Sequence, residues 1–152
     1  MKKYLLLMII FLFVGCQTSF NDISHQKGFA KSIGKKFKLK RDVFVVSDNK
    51  YKNNLRMSDP QFFPTMKEYK LTGKTQKSFF NSEKIIGIAK SGTIFKIDAI
   101  GLVNTGATMG DRGVIKVTDI NTGTVYYCHE PGLFYFRSGT LDPHDAYIEM
   151  LP

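Results

Sequence analysis

The chain has 152 residues and a formal net charge of +9, with 43% hydrophobic and 23% charged residues. That length allows one domain with short extensions, and that balance excludes a disordered chain. Thirteen glycines and thirteen phenylalanines, with no tryptophan, point to aromatic strands broken by turns.

Met1-Lys2-Lys3 is a short positive start, and Tyr4 to Val14 follows without a charge or a strongly polar group. A run this short suits the apolar region of a signal peptide and falls short of the ~20 residues of a membrane span. Gly15 is the small residue expected before a cleavage site. The stretch Phe13-Val14-Gly15-Cys16 resembles a bacterial lipobox, with Phe13 where leucine is usual and Leu12 one step earlier. The resemblance implies diacylglycerol on the Cys16 sulfur, cleavage after Gly15, and often a further acyl chain on the new amino terminus. Two or more acyl chains hold firmly where one gives only marginal membrane binding. Gln17 follows the cysteine, and in a diderm bacterium the resemblance then implies the outer membrane, facing the periplasm. Three segments are expected: residues 1–15 as signal peptide, 16–34 as lipidated tether with a short helix, and 35–152 as a β-rich domain. Losing Lys2 and Lys3 leaves 20 basic against 13 acidic side chains, a net +7 that favours anionic partners.

In the tether, Asn21 or Asp22 can cap a short helix with Ile23, Phe29, Ala30 and Ile33 near one face. Gly28 weakens that helix and Gly34 is its expected stop. From Lys35 to Ser47, Lys36, Lys38 and Lys40 alternate with Phe37 and Leu39, the pattern of a half-buried strand with one basic face. Such a face suits anionic lipid or glycan, or simply guards an exposed strand. Asp48 to Pro64 breaks the pattern and is expected to be a long loop, with Phe62 and Phe63 pinned to the core.

Ile85 to Ala89, a turn at Lys90-Ser91-Gly92, and the run from Thr93 onward predict a first hairpin. Gly101 to Gly113 is expected as a flexible glycine loop. A second hairpin is predicted about Asn121-Thr122-Gly123, and Leu133 to Phe136 as another strand. Asp142-Pro143 is a good start for one helical turn, and the chain should close with a strand over its last residues. Short strands with glycine turns suggest a small barrel or sandwich. "GTIFKI" (Gly92 to Ile97) resembles a strand start of bacterial SH3-like domains, and "PHDAYIEML" the one-turn helix and last strand of SH3 domains. The resemblance implies a mainly β, small SH3-like barrel after a short N-terminal helix, with an OB-like barrel as the alternative.

Catalytic signals are weak. With Cys16 acylated, Cys128 has no intrachain partner and is expected to be a buried, inert thiol on a strand. Cys128 and His129 would point to opposite faces, so they cannot share a metal. Asp142 and His144 offer ligand types, but a helix cap explains Asp142 more simply. "GATMGDRG" lacks the Gly-Lys-Ser/Thr ending of a phosphate loop. No cofactor, no metal and no nucleic-acid partner are expected. The expected function is a non-enzymatic binding or scaffold role in the cell envelope, toward a protein or cell-wall component. The alternative is an inhibitor or immunity-type lipoprotein that blocks a secreted or periplasmic enzyme. The candidate binding residues are Tyr51, Arg56 and Arg112, on the two long loops.

Overall fold

The structure is a computed structural model. It describes residues 20–47, 51–57, 66–67, 69, 84–104 and 111–152. The signal segment, Gly15, Cys16, Phe62 and Phe63 lie outside the described residues. In chain order the elements are β1 (Phe20–Asp22), α1 (Lys27–Ala30), β2 (Lys36–Leu39), β3 (Val43–Ser47) and β4 (Asn54–Arg56). Then come β5 (Lys84–Ala89), β6 (Ile94–Asn104), β7 (Asp111–Asp119), β8 (Val125–His129), β9 (Phe134–Arg137), β10 (Thr140–Pro143) and β11 (Ile148–Met150).

The main sheet runs β11-β2-β6-β7-β8-β4-β3-β5, and β1 joins it beside β6. β9 and β10 form a separate two-stranded sheet. The path has free ends at β11 and β5, so the expected closed barrel is not formed. The fold is mainly β, as expected.

The predicted first hairpin is not one. β5 pairs with β3, and β6 pairs with β2. Lys38 faces Ile94 and Val43 faces Ala89, so five steps along one strand match five steps back along the other. The two ladders therefore keep one antiparallel register through a shared bend. Inside the bend, the Leu39 N–H donates to the Thr93 carbonyl (2.9 Å) and the Gly92 N–H donates to the Leu39 carbonyl (2.8 Å). The Asp42 carboxylate accepts the Ser91 N–H at 2.8 Å, and the Ser91 hydroxyl donates to the Lys40 carbonyl at 3.0 Å. Gly92 makes the corner with φ +89°, in the region glycine favours. A glycine turn between two apolar runs looks the same in sequence whether the strands fold back on each other or bend together.

The second hairpin matches expectation. Val117 faces Tyr126, and Gly123 at φ +70° donates its N–H to the Asp119 carbonyl at 2.9 Å. The two ends of the expected glycine loop from Gly101 to Gly113 are strand, since β6 extends to Asn104 and β7 begins at Asp111, and residues 105–110 lie outside the described residues. Its flanking glycines make room for rings. A Cβ on Gly101 would meet the Phe20 ring at 2.4 Å, and one on Gly113 would meet the Phe136 ring at 2.6 Å.

β4 lies within the segment expected to be a loop. It pairs antiparallel with β3 and parallel with β8. The segment expected to be a tether also packs into the fold. β1 pairs with Gly101–Val103, and Ile23 and Phe29 are buried in the main core. Asn21 and Asp22 sit in β1, so neither caps the helix; α1 is a single turn starting after Gln26, with no side-chain cap. The helix stops at Ala30, before the expected Gly34, which at φ +81° closes the following turn instead. Asp142 and Pro143 belong to β10, and the helical turn instead begins at His144, whose carbonyl accepts the Tyr147 N–H at 2.8 Å. The β9–β10 pairing takes up Asp142 because it faces Tyr135 across the hairpin.

The core sits under the bent ladder. Phe37 stacks on Phe95 (centroids 5.4 Å apart) and meets Phe134 edge-on (5.1 Å). β3 is buried on both faces: Val43 and Val45 join the main core, while Phe44 and Val46 join a second cluster with Ile85. That explains its unbroken apolar run, which a one-sided strand would not need.

Candidate functional site

Tyr51, Arg56 and Arg112, the residues expected to bind, differ in burial. Tyr51 is buried, with its ring 4.3 Å from Tyr127 and 5.2 Å from His129. Asn54 is fully buried and donates through Nδ2 to the Tyr51 carbonyl at 3.0 Å. Its Oδ1 lies 2.8 Å from His129 Nε2, which places the histidine proton on that nitrogen. These contacts clamp β4 to β8 where the strands run parallel. Arg56 is half-buried at the end of β4, and its charge reaches Cys128. Arg112 is half-buried on β7, facing Val103. Arg56 and Arg112 therefore belong to strands β4 and β7, while Tyr51 lies in the segment just before β4.

Cys128 and His129 do face opposite ways. Cys128 is fully buried in the main core, while His129 joins the Tyr51 cluster. Burial pushes the Cys128 thiol up to about 12 from an ordinary value of 9.0, against an opposite pull from the Arg56 guanidinium. In the unfolded chain the thiol ionises first, so stability is complete below about pH 9 and is lost as pH rises toward 12. Urea titrations should show the stability gap between the parent chain and Cys128→Ala narrowing by roughly 1 kcal/mol for each pH unit above about 9. A constant gap would mean that the thiol is not held neutral.

A surface groove lies elsewhere, around the β9–β10 hairpin and the turn after it. A shallow groove of about 360 Å³ is lined by Tyr135, Arg137, Asp142, Pro143, His144, Asp145 and Ala146. Beside it runs a column of rings and cations. Arg137 lies 5.3 Å over Tyr135, and Tyr135 lies 5.6 Å from His144. His144 meets Tyr147 edge-on at 5.1 Å, and Arg41 lies 5.7 Å over Tyr147.

Each part is positioned by backbone pairing. The hairpin turns at Ser138 and Gly139, both at positive φ. The Thr140 hydroxyl donates to the Arg137 carbonyl at 2.6 Å, and the Glu130 carboxylate accepts the Phe136 N–H at 2.9 Å. His144 donates its N–H to the Leu133 carbonyl at 2.9 Å, so the turn is anchored at the base of β9. Lys40 Nζ donates to the Asp145 carbonyl at 2.6 Å, tying the turn to the bend after β2. The alternation of strand side chains sends Phe134 and Phe136 one way and Tyr135 and Arg137 the other.

This arrangement can serve recognition. Its rings and guanidiniums can stack on planar or sugar faces and accept a carboxylate. Cys128 is buried in the core, while His144 is engaged by two tyrosines. Among the described residues, no three of His, Cys, Asp and Glu gather as metal ligands. Also among the described residues, no helix is long and apolar enough to cross a membrane. The i, i+2 pair Tyr135 and Arg137 was visible in the sequence; its meeting with His144, Tyr147 and Arg41 was not.

Comparison with protein-family models, curated proteins and solved structures finds no match for this chain.

Proposed function

We propose that this chain is a lipid-anchored bacterial envelope protein whose small β domain binds a protein or cell-wall partner without catalysing a reaction. The observation that carries the binding role is the cation–ring column from Arg137 to Arg41 beside an open groove. The charge, length and small-residue pattern ending at Gly15-Cys16 supports the anchor. If the source is diderm, Gln17 favours the outer membrane with the domain in the periplasm. An SH3-like organisation is supported by the order β11-β2-β6-β7-β8 and by one helical turn leading into the last strand. The free ends of the sheet and the added β4 depart from that pattern.

Two measurements test this reading. Cys16→Ser should abolish palmitate labelling and leave unprocessed or soluble precursor; a correctly cleaved, membrane-held variant would sink the anchor. Crosslinked pull-down from detergent-solubilised envelope should recover peptidoglycan or assembly proteins with the parent chain, and about tenfold less with Tyr135→Ala. Recovery of one hydrolase would favour the inhibitor reading. Undiminished recovery with Tyr135→Ala would remove the groove as the binding site.

A further inference from the structure

We propose that the flank formed by α1 and the start of β2 rests on anionic phospholipid headgroups, through Lys27, Lys31, Lys35 and Lys36. The inference rests on the Cys16 anchor and goes beyond it by assigning the domain a second membrane contact and an orientation.

Chain length comes first. Only four residue steps separate Cys16 from Phe20, the start of β1. Fully extended, they span at most about 14 Å. Whatever lies beside β1 must therefore lie close to the bilayer that holds the acyl chains. β7 occupies one edge of β6 along Phe95 to Asn104, so β1 and β2 both lie on the other edge. The chain from Phe20 to Leu39 thus runs along one flank of β6, with α1 between its two strands.

Charge is the second observation. From Phe20 to Arg41 there are seven lysines and arginines and a single carboxylate, Asp22. Asp22 is engaged locally, accepting the Ser24 N–H at 2.8 Å. Lys27, Lys31, Lys35 and Lys36 are all exposed. Phe29 and Ser32 turn inward, which leaves Lys27 and Lys31, four residues apart, on the outward side. Among the described residues, no carboxylate pairs with any of these four. The neighbouring cations differ, since Lys38 pairs with Glu149 at 2.8 Å and Lys96 with Asp98 at 3.1 Å.

Lys36 also lies directly across from Lys96. Asp98 meets the charge of Lys96 but not that of Lys36, which is left for an anionic surface. Each basic side chain near an anionic leaflet adds attraction that fades within a Debye length, and the short tether keeps these four within that range.

The test uses the intact, processed protein reconstituted into vesicles of phosphatidylcholine alone or of phosphatidylcholine with phosphatidylglycerol. Lysines are labelled with an amine-reactive ester and read by peptide mass, and the Cys16 peptide is read for acylation in the same digest. On anionic vesicles, labelling of Lys27, Lys31, Lys35 and Lys36 should slow at least about threefold relative to neutral vesicles, and salt at ~1 M should restore it. Lys67 and Lys84, exposed beside the second cluster, should label equally on both. An acylated chain whose four lysines label alike on both vesicles overturns the proposal and leaves the anchor standing. A chain without acyl groups overturns both. Protection by soluble polyphosphate with none by anionic vesicles also overturns it, in favour of a polyanionic polymer.

Discussion

Phe37→Ala should destabilise the domain by about 3–5 kcal/mol, the cost of emptying a large, fully enclosed aromatic site. Phe37 has no solvent exposure, and its ring touches both Phe95 and Phe134. It therefore joins the bent ladder to the β9–β10 hairpin, and its loss opens a cavity bordered by two other rings. Urea unfolding of a soluble Cys16→Ser domain should show a lower midpoint with an unchanged slope. The thermal midpoint should fall by on the order of 10–15 °C. A loss below about 1 kcal/mol would show that the ring is not enclosed, because an exposed aromatic costs little to truncate.

Gly28→Ala has the second-largest expected effect, and its sign separates two accounts of the residue. Helix propensity alone predicts a gain of about 0.5–1 kcal/mol, because alanine suits a helix better than glycine. The packing predicts a loss. A Cβ on Gly28 would lie 1.7 Å from the Gly139 carbonyl oxygen and 2.8 Å from its carbon. Both are backbone atoms in the β9–β10 turn and cannot rotate aside. α1 would have to lift from that turn, disturbing the contact of Phe29 with Phe136 at 5.1 Å. We expect a loss of about 1–3 kcal/mol by urea unfolding. Gly34→Ala is the matched control, since a Cβ there meets nothing within 4 Å and carries only the strain of φ +81°. Stabilisation by Gly28→Ala would refute the close approach of α1 to the turn.

Much of the local structure was legible in the residues. Alternation placed Phe37 and Leu39 inward and Lys36 outward, and Asn121-Thr122-Gly123 marked a true hairpin. The opposed facing of Cys128 and His129 followed from strand alternation, and the buried thiol from cysteine's usual place in cores. Arg56 was expected on a loop and lies in β4 for a definite reason. A short strand such as β4, inside a run of lysines and asparagines, has too few residues to show a period. It pairs with β3 and, far along the chain, with β8. Gly101 and Gly113 were misread as flexible because an absent side chain looks the same whether it frees the backbone or admits a ring.

By itself the sequence determined the mainly β character, the inward and outward faces of β2 and β8, the second hairpin, and the apolar leader ending at Gly15-Cys16 on which the anchor proposal rests. Each depends on spacing between near neighbours along one chain, and such spacing is fixed once the backbone is extended or helical. Only the tertiary structure decided that the bend at Gly92 joins two ladders of one register, that β1 and α1 belong to the domain, and that Tyr135, His144 and Tyr147 meet Arg41. Those outcomes depend on which strand edges find each other. Pairing partners are selected by burial of the shared core, a property of the whole chain that no short stretch carries.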